Sequence, residues 1–271
     1  MIIDFHTHVF PDKIAGNTIS ALEEKGNTKA YSDGTRVGLE NALLRAGVDL
    51  AVNLPVITKP SQFDGILRFC NEINALHGKV LSFAGAHPLM DDIKGKMRLI
   101  KESGVKGIKI HPDYQGTFFD DDGYIEILKC AKDEDLIVVT HSGPDCGFIG
   151  QPVKCTPKRI LNALSKIGGY DKLVLAHMCS VEFYDEVLDL LAGKDLYFDT
   201  GFILKDYTEQ AFKKFIDKHG DDKILFASDS PWSDIKADVQ RLKSFNLGDK
   251  TLEKIFYKNA LKLLGERTSN D

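Results

Sequence analysis

The chain has 271 residues, 43% of them hydrophobic, and a formal net charge of −5. That length supports a sizeable core in one large α/β domain or two smaller ones. Acidic and basic residues are mixed with no basic block, which argues against an obligate nucleic-acid binder. No stretch reaches the roughly 18 apolar residues of a membrane span, and no cationic segment leads into an apolar core, so a cytoplasmic protein is expected.

The chain opens with Met1-Ile2-Ile3-Asp4-Phe5-His6-Thr7-His8, an apolar run closed by two histidines two apart. Strict strand alternation puts His6 and His8 on one face and Phe5 and Thr7 on the other, so two imidazoles can converge as half of a metal site. A break at Pro11-Asp12 and an irregular polar stretch lead to a helical pattern around Leu39, Leu43 and Leu44. A second strand at Leu50 to Leu54 stops at Pro55, and Phe63, Ile66/Leu67, Cys70 and Ile73 follow at helical spacing. Val80 to Ala84 is the third strand, ending near His87, and Val105 to His111 the fourth.

The loop 113–122 opens a helix carrying Ile125, Leu128 and Ala131, and Leu136 to His141 is the fifth strand. A long Gly/Pro loop then reaches Thr156-Pro157, a helix cap followed by a proline suited to the first helical position. Leu173 to His177, Leu196 to Asp199 and Ile224 to Asp229 supply strands six to eight, each with a helical pattern after it. Eight strand-like runs alternating with helices predict an α/β chain, a (β/α)₈ TIM barrel in a single domain over residues 1–271, with an open doubly wound sheet as the competing arrangement. No linker composition or internal repeat divides the chain.

His6/His8, His87, Lys109/His111, His141, His177 and Asp229 all end predicted strands, on the face where barrel active sites are built. His77 and His219 lie elsewhere, each beside a glycine at a predicted helix C-terminus, where a positive charge favours the helix dipole. Six of eight histidines at strand ends exceed what packing explains, and a metal site follows from their chemistry. Asp229 has a competing role as a helix cap before Ser230-Pro231, and His87 and His111 each precede proline, where a turn-stabilising imidazole also fits. The five cysteines (Cys70, Cys130, Cys146, Cys155, Cys179) lack paired spacing and read as reduced, unliganded thiols.

Asp4-x-His6-x-His8, the lone His141 and His177, and Asp229 in Ser228-Asp229-Ser230-Pro231-Trp232 resemble the amidohydrolase superfamily. The resemblance is nearest to its amidohydrolase-related branch, which also holds 2-amino-3-carboxymuconate-semialdehyde decarboxylase-like enzymes. It implies that His6, His8 and Asp229 hold a principal divalent metal, zinc or manganese. In single-metal members His141 completes that set and His177 is catalytic. In two-metal members His141 and His177 hold a second ion, bridged by a strand-four Glu or carboxylated Lys. Strand four here has no Glu, and Lys109 is either a carboxylated bridge or a lysine that orients an anionic substrate beside His111.

The resemblance implies a metal-dependent hydrolase of a small amide, ester or lactone, with Asp229 shuttling a proton from metal-activated water. Non-oxidative decarboxylation of an unsaturated or aromatic carboxylate is the alternative, for which Arg159 is the arginine nearest the expected mouth. A TatD-like nuclease typically needs the missing strand-four Glu, and a PHP-type phosphoesterase needs an Asp-x-His that Ser230-Pro231 replaces. A non-catalytic metal-binding protein would not need the proton-transfer Asp. The partner expected is a small molecule, with no membrane, and a homo-oligomer is left open.

Overall fold

Backbone hydrogen bonds between the first and last strands close the sheet into a barrel. The computed structural model describes residues 1–266, which form nine strand segments: β1 (Ile3–Thr7), β2 (Leu50–Asn53), β3 (Val80–Ser82), β4 (Ala84–Gly85), β5 (Gly107–Ile110), β6 (Ile137–Thr140), β7 (Leu173–Leu175), β8 (Tyr197–Asp199) and β9 (Ile224–Leu225). Every neighbouring pair is parallel, in the orders β1-β2-β3 and β4 to β9. β3 and β4 are one predicted strand interrupted at Phe83. At the other seam, Phe5 N–H donates to Phe226 O at 2.9 Å and Asp229 N–H to His6 O at 2.8 Å. These bonds rule out the open sheet.

The apolar runs alternate between two cores because both faces of a parallel sheet are covered. Val52, Val139, Val174 and Leu225 pack inside the barrel, while Ile108, Val138, Leu173, Leu175 and Phe226 pack against the outer helices. Each fully buried side chain of this kind contributes about 1.5–3 kcal/mol. Leu261, Leu263 and Leu264 of the closing helix Asn259–Leu264 join the inner cluster, and Lys106 Nζ donates to Leu264 O at 2.7 Å, so this helix closes the end where the strands begin. The opposite end carries the polar residues.

Three features depart from the sequence-based expectation. The irregular stretch lies where it is expected, over residues 27–35, but it is preceded by a helix, Asp12–Gly26, that the sequence does not announce; it buries only Ala15 and Ile19, too few to leave a periodic stripe. β1 does not alternate strictly, because its register to β2 shifts between Asp4 and Thr7. That bulge lets Phe5 pack edge-on against Phe83 in the interior while His6, the next residue, also faces inward. Finally, His219 is no exposed cation at a helix end: burial lowers its pKa to about 4, and its neutral Nδ1 accepts Gly193 N–H at 3.1 Å.

Candidate metal centre

His6, His8 and Asp229 bring three donor atoms together at the top of the barrel seam. His6 Nε2 lies 3.1 Å from His8 Nε2 and 3.2 Å from Asp229 Oδ1, and His8 Nε2 lies 3.0 Å from the same oxygen. Asp229 holds φ at 66°, and the helix cap beyond it is Asp234, so Asp229 is not that cap. Asp4 fixes the approach: its Oδ1 accepts Ser228 N–H at 2.9 Å and its Oδ2 accepts Ser228 Oγ–H at 2.5 Å. Burial pushes the Asp4 carboxyl up to about 7.

Second contacts set which nitrogen of each imidazole faces the group. His6 Nδ1 donates to Asp199 Oδ2 at 2.9 Å, and burial, then Lys109, hold its pKa well below the ordinary value. A neutral His6 therefore presents its Nε2 lone pair. His8 Nδ1 donates to Leu54 O at 2.8 Å, which likewise turns Nε2 inward. Burial works against the Asp229 charge, but the facing imidazoles, His6 foremost, hold its carboxyl at about 2. Two imidazole nitrogens and a carboxylate oxygen spaced 3.0–3.2 Å apart suit an ion bound at about 2.0–2.2 Å from each. These residues fit a divalent metal.

Lys109 and His177 flank that group. Lys109 points inward between the outward Ile108 and Ile110, with Nζ 3.0 Å from His6 Nε2. Burial lowers its pKa to about 8, which leaves an ammonium at neutral pH. His177 would face the helices if β7 alternated onward from Ala176. Instead residues 177–180 all take positive φ, 61°, 47°, 61° and 72°, and the ring turns into the site. Its Nδ1 donates to Gly201 O at 2.9 Å and its Nε2 lies 3.1 Å from His141 Nδ1.

His141 therefore reaches the triad through His177 rather than joining it. Its ring stacks on His111 at 4.1 Å between centroids. His111 lines the site, with burial lowering its pKa to about 4. His87 accepts Leu89 N–H at 3.1 Å, the turn-stabilising role. Arg159 pairs with Asp120 at 2.5 Å and covers the Phe118 ring, so its guanidinium is committed elsewhere. Burial raises the thiol pKa of Cys155 well above the ordinary value and that of Cys179 to about 12.

Asp199, Asp113 and Asp145 were not picked out from the sequence. Asp199 ends a predicted strand and could have been found on the same signal as Asp229. Its Oδ1 accepts the amides of His177 and Gly201, both at 2.9 Å, while its Oδ2 holds His6. Asp113 lies in the first turn of the short helix Pro112–Gln115 and Asp145 caps the turn Cys146–Phe148, positions where aspartate is ordinary capping chemistry.

The amidohydrolase family model matches residues 3–265. The chain belongs to the amidohydrolase family. It is an enzyme-family barrel whose members bind divalent metals, in keeping with the three converging donor atoms. Among solved structures it is similar to a 5-carboxyvanillate decarboxylase from Novosphingobium aromaticivorans with bound manganese (TM-score 0.74, 14% identity, 98% of this chain and 97% of that one). It is also similar to a 2,6-dihydroxybenzoate decarboxylase from Rhizobium (TM-score 0.69, 15% identity, 97% and 98%). A third amidohydrolase-like barrel is a probable 2-pyrone-4,6-dicarboxylic acid hydrolase from Acinetobacter baumannii with citric acid bound (TM-score 0.68, 14% identity, 97% and 99%). At these identities the likeness speaks for the fold alone. No curated protein sequence matches the chain. No helix among the described residues is long and apolar enough to cross a membrane.

Proposed function

We propose that this amidohydrolase is a metal-dependent hydrolase of a small amide, ester or lactone that carries an anionic group. The observation that carries the reading is the convergence of His6 Nε2, His8 Nε2 and Asp229 Oδ1 beside the buried Lys109 ammonium. His6, His8 and Asp229 would hold the principal ion, zinc or manganese, with His177 next to it and His141 behind. A divalent ion bound there supplies a water whose pKa falls towards neutrality and a Lewis acid for the scissile carbonyl.

The chain's own groups do the rest. Asp229, ionised at neutral pH, takes the proton of the attacking water and returns it to the leaving group. Lys109 Nζ anchors the substrate's anionic group or neutralises the oxyanion, and His177, held by Gly201 O and Asp199, offers a second group for that charge. Asp4, through Ser228, keeps Asp229 in register with His6.

A second reading is non-oxidative decarboxylation. It is favoured by Lys109, which could seat a carboxylate beside the triad, and weakened by the engagement of Arg159 with Asp120. One experiment separates them: zinc- or manganese-loaded protein is assayed on lactones, esters and amides with and without a carboxylate, and on aromatic carboxylates with CO₂ detection. Hydrolysis that drops about 10²–10⁴-fold in Asp229→Asn supports the proposal. CO₂ release without hydrolysis replaces it with the second reading. Activity on neither panel, with metal bound, removes both.

A further inference from the structure

Residues 143–155, which follow β6, form a loop closed at its neck. Gly143 N–H donates to Cys155 O at 3.0 Å, so the two ends meet as in an Ω-loop. The returning leg is tied down: Lys154 N–H donates to Asp113 Oδ1 at 3.3 Å, and Lys154 O accepts Phe119 N–H at 3.0 Å. The tip has no such ties. Among the described residues, the backbone of residues 144–152 hydrogen-bonds only within the loop. Gly147 N–H donates to Asp145 Oδ1, Phe148 N–H to Asp145 O and Gln151 N–H to Phe148 O. Ile149, at the end of the tip, is 85% exposed.

Side chains hold the tip instead. Asp145 Oδ2 lies 3.4 Å from His111 Nε2 and 4.0 Å from His141 Nε2, so one carboxylate stands against that edge of both imidazoles. The two histidine side chains are only 8% and 6% exposed beneath it. Phe148 meets Tyr114 edge to face, with 4.9 Å between ring centroids and 85° between planes. Lys25, in the last turn of the helix Asp12–Gly26, sets its Nζ over both rings, 3.8 Å from the Phe148 centroid and 4.1 Å from that of Tyr114. We propose that residues 145–151 are a lid over the His111–His141 side of the metal centre, and that Lys25 is the positioning residue that latches it.

The latch is joined to the site through Tyr114, whose ring stands edge-on to His111 at 4.7 Å and 88°. Glycine lets the tip lie close against the helix end. A Cβ on Gly147 would come 3.3 Å from both Lys25 Cε and Tyr114 Oη, and one on Gly26 would come 3.0 Å from Cys146 Sγ. Lys25 is itself an exposed residue, and a cation–π contact at an exposed site is weak. A segment held by a few such contacts, without backbone bonds to its neighbours, opens locally at a free energy well below that of global unfolding. Opening lifts Asp145 from the two imidazoles and clears the approach to His177. Closure covers that approach again, which is how lids sequester a reaction from water.

The test uses the full-length protein and reads two rates that involve neither turnover nor bound metal, so its outcome is separate from that of the proposed function. Amide hydrogen exchange of residues 145–151 is followed by mass spectrometry. Carbethoxylation of His111 by diethyl pyrocarbonate is followed beside that of the exposed His77. In wild type the tip is expected to exchange faster than β6. Lys25→Met keeps the side-chain length and loses the charge. It is expected to speed tip exchange and His111 modification about 5–30-fold, as the loss of two exposed cation–π contacts requires. Exchange of β6, modification of His77 and the thermal midpoint are expected to stay unchanged, and Lys25→Arg to restore the wild-type rates. Unchanged tip exchange in Lys25→Met overturns the latch. Faster tip exchange with unchanged His111 modification overturns the lid, since the loop would then move without covering the site. Equal acceleration of the tip and β6 makes Lys25 an ordinary structural residue and overturns the proposal. Should Lys25→Met not fold, Phe148→Leu removes one of the two rings and is read in the same way.

Discussion

Asp199 Oδ2 accepts the His6 Nδ1 proton at 2.9 Å, across a sequence separation of 193 residues. Its other oxygen takes the His177 amide, so one carboxylate orients an imidazole of the triad and the backbone of the residue beside it. In Asp199→Asn the amide oxygen can still accept the His177 and Gly201 amides. Its NH₂ then meets His6 Nδ1 and drives the ring proton to Nε2, where a metal would bind. Metal affinity is expected to fall about 10–100-fold while the thermal midpoint changes little. A competition titration against a chelator measures this, and unchanged affinity would remove Asp199 from the role.

Lys109 has opposite effects on two ligands. Its ammonium, 3.0 Å from His6 Nε2, repels a second cation and attracts an anion. Lys109→Met is expected to bind zinc several-fold more tightly and to raise KM for a carboxylate-bearing substrate about 10-fold or more, with less effect on an uncharged analogue. If Lys109 instead bridged two ions as a carbamate, the variant would lose metal, and elemental analysis would register the loss.

Asp4 ties the first strand to the residue before Asp229. Asp4→Ala leaves the Ser228 amide and hydroxyl without their acceptor in the interior, at a cost of about 2–5 kcal/mol. The expected result is a thermal midpoint lower by roughly 10 °C together with weaker metal binding. A variant as stable as wild type would mean that Ser228 finds another partner.

His219 gives a pH dependence remote from the metal centre. Its pKa in the folded protein, about 4, is below the ordinary value of 6.5, so the unfolded chain takes up the proton first. Stability from this group is complete above pH 6.5 and is lost as pH falls towards 4, on the order of 3 kcal/mol in all. Denaturant titrations at pH 7 and pH 4.5 are expected to differ less for His219→Gln than for wild type. Equal differences would show that His219 does not contribute.

Much of the site is legible in the sequence because it lies at the ends of apolar runs. The alternation that marks Val138 and Val139 as strand also puts His141 at its end, and the same holds for Lys109 and Asp229. Strand phase is less legible, since it depends on neighbours. The bulge in β1 is a mismatch with β2, and the left-handed run at 177–180 lies in a stretch whose sequence, His177-Met178-Cys179-Ser180, contains no glycine to announce it. Asp113 and Asp145 gain meaning only when folding brings their turns to Lys154 and His111, and no local pattern encodes those meetings.

The bonds that close the barrel also assemble the triad. His6 O receives the Asp229 amide, and His8 N–H reaches Ser230 O at 2.6 Å. His6 and His8, made first, thus wait for the last described strand to be made before Asp229 joins them. Such long-range pairing slows folding. In return, metal capture by the triad, as proposed, would report that the whole circle has formed, and a chain cut short before residue 229 would carry two histidines with neither partner carboxylate nor wall.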